Sequence, residues 1–278
     1  ATYPQAASAF AITSQMPTSS GYYAYSSATA TTFTPKNGDV IKINGVLFQI
    51  PAAGITGCGN TSVFVNGTGA SNLGATTLYY VYVFSNSGTL TCDFSTTAHT
   101  VSSTVGNIGT EIETGNDTRS LIGMVYTNGS SQFVIAQTLS WFNRRDRSVS
   151  VSTTSNRALT TTATTWLEVS NTLEASFISW GDETTDCSIS GGAFITTSTN
   201  TYYLSAAFDG TTPYDTGTAL LNGSSALFPF LVKGTGILAE GNHYCTLLNY
   251  AATGTGGGSV AGSVTAGQRT ATIVRFRG

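Results

Sequence analysis

Apolar and polar positions alternate along most of this chain with a period of two. The runs are short and are separated by turn-forming residues, the pattern of half-buried β-strands. The clearest case is Asp39-Val-Ile-Lys-Ile-Asn44-Gly45-Val-Leu-Phe-Gln-Ile50, two alternating runs about an Asn-Gly pair. Asn and Gly tolerate the positive φ angles of a tight turn, so the segment predicts a hairpin. Leu78-Tyr-Tyr-Val-Tyr-Val-Phe84 breaks the alternation, being apolar or aromatic on both faces. Such a strand must be covered twice, by a second sheet or by a neighbouring subunit. Leu78, Tyr80, Tyr82 and Phe84, with Trp141 and Phe142, are therefore candidates for an oligomer interface. Ser85-Asn-Ser-Gly88 reads as a turn and Thr89–Phe94 as the returning strand. Ser120–Tyr126 and Phe133–Ala136 read as a further hairpin about Thr127-Asn128-Gly129.

Leu139–Arg147 reads as a last strand followed by a charged boundary, which places a domain break near residue 148. Beyond it, the strand candidates are 165–169, 174–180, 192–196, 201–208, 226–232, 243–250 and 270–276. Asp209-Gly210, Asn222-Gly223 and Gly256-Gly257-Gly258 supply turn signals between them. No segment keeps a helical period beyond two turns. Residues 1–35, rich in Ala, Ser, Thr and Tyr, show no sustained period and read as an extended N-terminal arm. The expected fold is all-β: two β-sandwich or jelly-roll-like domains, 36–147 and 148–278, behind that arm.

Composition sharpens this picture. Only 9% of the 278 residues are charged, against about 25% in an average soluble protein. Ser, Thr, Asn and Gly supply the polarity, and these residues suit extended chains and turns. An aromatic content of 11%, gathered in strand-sized runs, argues against disorder. A formal net charge of −3 provides no field to draw the chain onto nucleic acid or anionic lipid. The basic cluster Arg144, Arg145 and Arg147 is interrupted by Asp146. No apolar run has the ~18 residues of a membrane helix, and Ala1-Thr2-Tyr3-Pro4 begins nothing like a secretory leader.

Candidate chemistry is sparse. Cys58, Cys92, Cys187 and Cys245 are too widely spaced for a zinc knuckle or a redox pair. Two fall in each half, so Cys58–Cys92 and Cys187–Cys245 are the simplest pairing; free buried thiols and an intermolecular bridge stay open. The chain has two histidines, His99 in a polar turn and His243 in a strand, and no Gly-x-Ser-x-Gly elbow, so a nucleophilic triad is not readable. Asp182-Glu183-x-x-Asp186 lacks the ligand spacing of a calcium loop. Gly254–Ser259 reads as a loop between strands rather than a phosphate cradle. Fourteen acidic residues could in principle supply a glycosidase pair, but the sequence does not say which two would meet. No enzyme activity, cofactor or metal is expected. Among the aromatics, Trp166, Trp180, Tyr202, Tyr203, Tyr214 and Tyr250 could stack on sugar rings, with Trp180, Tyr202 and Tyr214 as the chosen glycan candidates.

The blocks Leu78–Phe84, Gly88-Thr-Leu, Gly115-Asn-Asp-Thr-Arg119-Ser-Leu-Ile-Gly-Met-Val-Tyr126, Phe133-Val and Ser140-Trp-Phe-Asn143-Arg144 occur in order. Together they resemble a module in virion proteins of tailed bacteriophages, the tail-fibre, collar-fibre and head-decoration proteins, over residues 38–147. The second half is similar to the β-jelly-roll tip domains of such fibres through Glu240-Gly241-Asn-His-Tyr-Cys-Thr-Leu247 and the terminal Arg277-Gly278. The resemblance implies a homotrimer or other repeated assembly on a virion, contacts with other virion proteins of the tail, collar or capsid, and in some members a host-surface glycan. It supplies no catalytic residues, and the four cysteines lie outside its pattern.

Overall fold

The structure is a computed structural model that describes residues 19–159, 165–195, 201–214, 219–222, 227–253, 257–262 and 269–278. It is all-β. Among these residues the only helices are two single 3-10 turns, 135–137 and 171–173. The chain divides into two compact units, residues 1–144 and 145–278.

The strands of the first unit are β1 (Tyr22–Ser27), β2 (Ala30–Thr34), β3 (Val40–Ile43), β4 (Val46–Gln49), β5 (Ile55–Gly59), β6 (Val63–Val65), β7 (Thr68–Ser71), β8 (Leu78–Asn86), β9 (Thr89–Ser95), β10 (His99–Val101), β11 (Glu111–Glu113), β12 (Asn116–Tyr126) and β13 (Thr138–Ser140). An eight-stranded sheet runs β10-β11-β12-β8-β9-β6-β7, with β13 also on β12, and β1-β2-β5 form a three-stranded sheet. The β3–β4 hairpin turns at Asn44 and Gly45, with φ 49° and 79°. Ser87 and Gly88 do the same between β8 and β9, with φ 52° and 90°. Paired positive φ angles match the twist of the flanking strands, which is why Asn-Gly and Ser-Gly sit there. The Cys58–Cys92 disulfide ties β5 to β9 across a Cα–Cα distance of 5.5 Å.

Two expectations need correction in this unit. Residues 22–34 are not part of an extended arm: they form the β1–β2 hairpin, and Tyr23 and Phe33 are fully buried in the core. Their phase is hidden in the sequence because small and hydroxyl residues surround them. Burial pushes the Tyr23 phenol far above its usual range. It donates to Thr31 Oγ1 at 2.7 Å, which donates in turn to the Cys58 carbonyl at 2.8 Å. Residues 1–18 of the expected arm lie outside the described residues. The second correction concerns the partner of β12, which is β13 rather than 133–136. Asn128 closes the intervening loop by accepting from the Ser130 and Gln132 amides at 2.9 and 3.0 Å. Phe133 enters the core from that loop and stacks on Phe94 at 5.8 Å.

The fit of β1 on β12 is tight. A Cβ at Gly123 would lie 2.3 Å from the Tyr23 ring and 2.6 Å from the Leu139 carbonyl oxygen. Gly123→Ala is therefore expected to cost about 1–3 kcal/mol by overpacking. Urea unfolding reads this directly, and an unchanged midpoint would separate residues 22–34 from the core.

The second unit contains β14 (Asp146–Ser152), β15 (Arg157–Leu159), β16 (Leu167–Glu168), β17 (Ala175–Trp180), β18 (Thr184–Ile195), β19 (Thr201–Phe208), β20 (Ala219–Asn222), β21 (Leu227–Ile237), β22 (Glu240–Thr253), β23 (Gly258–Val260) and β24 (Ala271–Arg277). A six-stranded sheet runs β14-β24-β18-β23-β15 with β21 on β18, and a five-stranded sheet runs β16-β22-β19-β20 with β17 on β22. They face each other as a sandwich. Cys187 of β18 is bonded to Cys245 of β22, Cα–Cα 6.5 Å, and Phe177 of β17 lies 5.2 Å from Phe276 of β24.

Strand β18 extends well before the expected 192–196, and Gly191-Gly192 conceals it. A Cβ at Gly191 would meet Thr270 Oγ1 at 2.3 Å, and one at Gly192 would meet Leu227 at 2.6 Å. Glycine inside a strand here marks close approach rather than a loop. The unit boundary falls at 144/145, earlier than the expected 147/148, because Asp146 and Arg147 pair with Arg277 and Phe276. Arg145 and Gly278 exchange two backbone hydrogen bonds, at 2.7 and 2.9 Å, which hold residues 145 and 278 side by side.

Candidate functional site

Strand β8 is covered on both faces within the chain, which corrects the assignment of its residues to a subunit interface. Tyr80, Tyr82 and Phe84 are only 8%, 0% and 8% exposed, and Leu78 is half-buried. Tyr82 donates to the Thr97 carbonyl at 2.9 Å, Tyr80 meets the His99 ring at 5.7 Å, and Phe84 lies edge-on to Phe64 at 4.9 Å. Trp141 is half-buried between His99 at 5.2 Å and the Arg144 guanidinium at 4.6 Å, and Phe142 packs on Phe33 at 6.5 Å. Of the two covers expected for this strand, a second sheet or a neighbouring subunit, the chain's own loops supply the one over Tyr80, Tyr82 and Phe84.

Two of the three chosen glycan candidates are likewise buried, and Tyr214 is half-buried. Tyr202 is 0% and Trp180 5% exposed, and Tyr214 is wedged over the bare backbone of Gly234 and Gly236, edge-on to Phe208 at 5.5 Å. Strand phase explains Tyr202. Along β19, Tyr202, Leu204 and Ala206 point to the disulfide side of the sheet, so Tyr203 points away from it. Tyr203 pairs directly with Tyr250 of β22, ring centroids 6.0 Å apart, and Trp166 stands 5.6 Å beyond Tyr250. All three are half-buried. They form a row across the face of the five-stranded sheet that lies opposite the disulfide.

Farther along β22, the same face carries Tyr244 beside Glu168 of β16 and Glu174, the residue just before β17. Tyr244 donates its hydroxyl to Glu168 Oε1 at 2.9 Å. Burial, Glu168 and the negative charges of Glu174 and Asp209 push the Tyr244 phenol up to about 12. The Glu174 carboxyl is held above its ordinary 4.5, by burial first and then by the charge and hydrogen bond of Glu168. The folded protein thus holds that proton more tightly than the unfolded chain does. The resulting stability is complete below pH 4.5 and is lost as pH rises through the raised value. Glu174→Gln is expected to raise the melting temperature near neutral pH and to change nothing below pH 4.5, an effect under about 1 kcal/mol at a partly exposed site. Melting curves across pH check this.

Other ionisable residues serve the fold. His99 Nδ1 contacts Glu111 at 2.7 Å. His243 lies between the Asp209 carboxylate, 2.5 Å from Nδ1, and the Ala239 carbonyl, 2.8 Å from Nε2. All four cysteines are in disulfides. Asp182, Glu183 and Asp186 line an open groove of about 790 Å³ with Asp146, Arg147, Arg275 and Arg277. Within it Arg277 approaches Glu183 at 3.8 Å and Asp186 accepts from Thr235 at 2.7 Å. Among the described residues no three His, Cys, Asp or Glu side chains are grouped to hold a metal ion.

No protein-family model matches the chain, and no curated protein matches it. Among solved structures it aligns with a chain in the structure of infectious bursal disease virus Gx strain. Identity is 12% and the TM-score 0.26, covering 94% of this chain and 73% of that one, an overlap too loose to carry an argument about function.

Proposed function

We propose that the chain is a non-enzymatic structural protein of a tailed-phage virion, repeated as a homotrimer in a fibre, spike or decoration on the tail, collar or capsid. The observation that carries this reading is where the phage-like sequence blocks fall. Leu78–Phe84, Gly115–Tyr126 and Ser140–Arg144 supply β8, β12 and the end of β13, contiguous in one sheet. The resemblance thus follows a packed module rather than scattered positions. Two further features support it. The surface relies on Ser, Thr and Asn rather than on charge, and each unit is closed by its own disulfide, a bond that persists outside reducing compartments.

The test is antibody labelling of purified particles together with native mass spectrometry of the isolated protein. Regularly spaced label on particles and a trimer mass are expected. A stable monomer absent from particles would refute the proposal.

A further inference from the structure

One edge of β22 is paired by two strands in succession, β17 from Glu240 to Cys245 and β16 at Leu248 and Asn249. Between them the chain leaves the sheet in the 3-10 turn 171–173, which opens a notch beside Thr246. Glu168 ends β16 opposite Leu248. Glu174 precedes β17, and the register that sets Ala175 opposite Cys245 brings it opposite Thr246. Such cross-strand neighbours hold their Cβ atoms about 5 Å apart. Residues 244, 246 and 248 share one face of β22, so the two carboxyls, the Tyr244 phenol and the Thr246 hydroxyl gather on one side. Tyr244 donates to Glu168 at 2.9 Å and so fixes that carboxyl. Glu168 and Glu174 are hydrogen-bonded to each other, and the charges felt at Tyr244, from Glu168, Glu174 and Asp209, are all negative. Among the described residues no Lys, Arg or His pairs with Glu168 or Glu174. An independent observation comes from Thr246. It is 0% exposed, and its Oγ1 has no hydrogen-bond partner among the described residues. A buried hydroxyl left unpaired is costly, and this one stands beside two carboxyls that lack a counter-charge.

We infer that the notch is a calcium site, in which the carboxylates of Glu168 and Glu174 and the hydroxyl of Thr246 hold the ion and Tyr244 positions Glu168. Two carboxylates balance the charge of one divalent cation. A donor set made of oxygen alone selects a hard cation over zinc or copper. Both glutamates are only half-buried, so water has access to complete the roughly six to eight oxygens that calcium takes. Magnesium demands a near-ideal octahedron, which donors drawn from β16, β22 and the turn before β17 do not preform. The assignment does not depend on the virion reading.

The test uses the full chain, stripped with a chelator and then titrated with calcium chloride, binding being read by calorimetry and by melting curves. Calcium should bind with a Kd of about 0.1–1 mM, the range of extracellular modules. At about 10 mM it should raise the melting temperature of the second unit by about 3–6 °C. Magnesium should bind at least about tenfold more weakly. Glu168→Gln and Glu174→Gln should each weaken calcium binding at least about tenfold. Glu174→Gln is also the variant expected to melt higher without calcium near neutral pH, so its lost binding would not reflect unfolding. Thr246→Val keeps the shape of the side chain; it should weaken binding while leaving the chelator-treated protein at least as stable as wild type. Thr246→Ser should retain binding, and so should Asp186→Asn in the separate acidic groove. No binding at about 10 mM calcium, equal binding of magnesium, undiminished binding in both glutamine variants, or binding lost with Asp186→Asn would overturn the site. A Thr246 hydroxyl that serves packing alone would show itself as a Thr246→Val stability change equal with and without calcium, and that too would overturn it.

Discussion

Replacing Cys187 and Cys245 together by alanine is expected to lower the stability of the second unit by about 4 kcal/mol. The bond closes a loop with a sequence separation of 58. The chain entropy it removes from the unfolded state corresponds to about 4 kcal/mol at that length. Both sulfurs are buried, with Cys187 2% and Cys245 0% exposed, so truncation also opens a small void between the sheets. For a unit of this size the melting temperature should drop by roughly 10–15 °C. Calorimetry with and without reductant provides the comparison: reductant should lower the wild-type transition of this unit to that of the variant and leave the variant's own transition in place. A variant as stable as the wild type would mean that packing of Phe177 on Phe276 suffices to hold the sheets.

The second large effect is expected at Asp93. Its side chain is fully buried and accepts from Arg119 Nε at 2.7 Å and from the Gly67 amide at 3.2 Å. The Arg119 guanidinium in turn lies 3.9 Å over the Phe84 ring. Asp93→Ala leaves that cation mostly buried beside an aromatic face with its carboxylate gone. Removing one partner of such a pair costs about 3–5 kcal/mol, because the remaining charge stays desolvated. Asp93→Leu combined with Arg119→Met removes both charges and should recover most of the loss. Chemical denaturation of the single and double variants distinguishes a desolvated ion pair from simple loss of side-chain volume. Equal losses in both would sink the electrostatic account.

Much of the fold was legible where turn chemistry and strand phase agree. Asn44-Gly45 marked its hairpin because few residues accept two positive φ angles in succession. The two-sided greasiness of Leu78–Phe84 correctly required two covers. What the sequence does not carry is the source of the second cover, here Phe64, His99 and the chain around Thr97. Residues 22–34 escaped because Tyr22 beside Tyr23 breaks the alternation and Thr flanks Phe33 on both sides, so period-two hydrophobicity is diluted below recognition. The beginning of β18 escaped because glycine signals both loops and close contacts.

At the candidate site the phase was available. Tyr202 shares its face with Leu204 and Ala206, and Tyr250 lies out of step with Cys245 and Leu247, so the outward pair is Tyr203 and Tyr250. Alternation applied residue by residue would have chosen Tyr203 over Tyr202. The meeting of Glu168 with Glu174 across a single 3-10 turn, and with Tyr244 on another strand, has no sequence signature because it depends on the register of β16 and β17 against β22.

The two hydrogen bonds between Arg145 and Gly278 have a practical corollary. A sandwich that is entered and left through one doorway, and is stapled internally, is portable. It can be spliced into an exposed turn of an unrelated scaffold without forcing the host's strands apart. For protein engineering, residues 145–278 are the segment to graft in this way, with a retained melting transition as the sign that the sandwich has kept its fold.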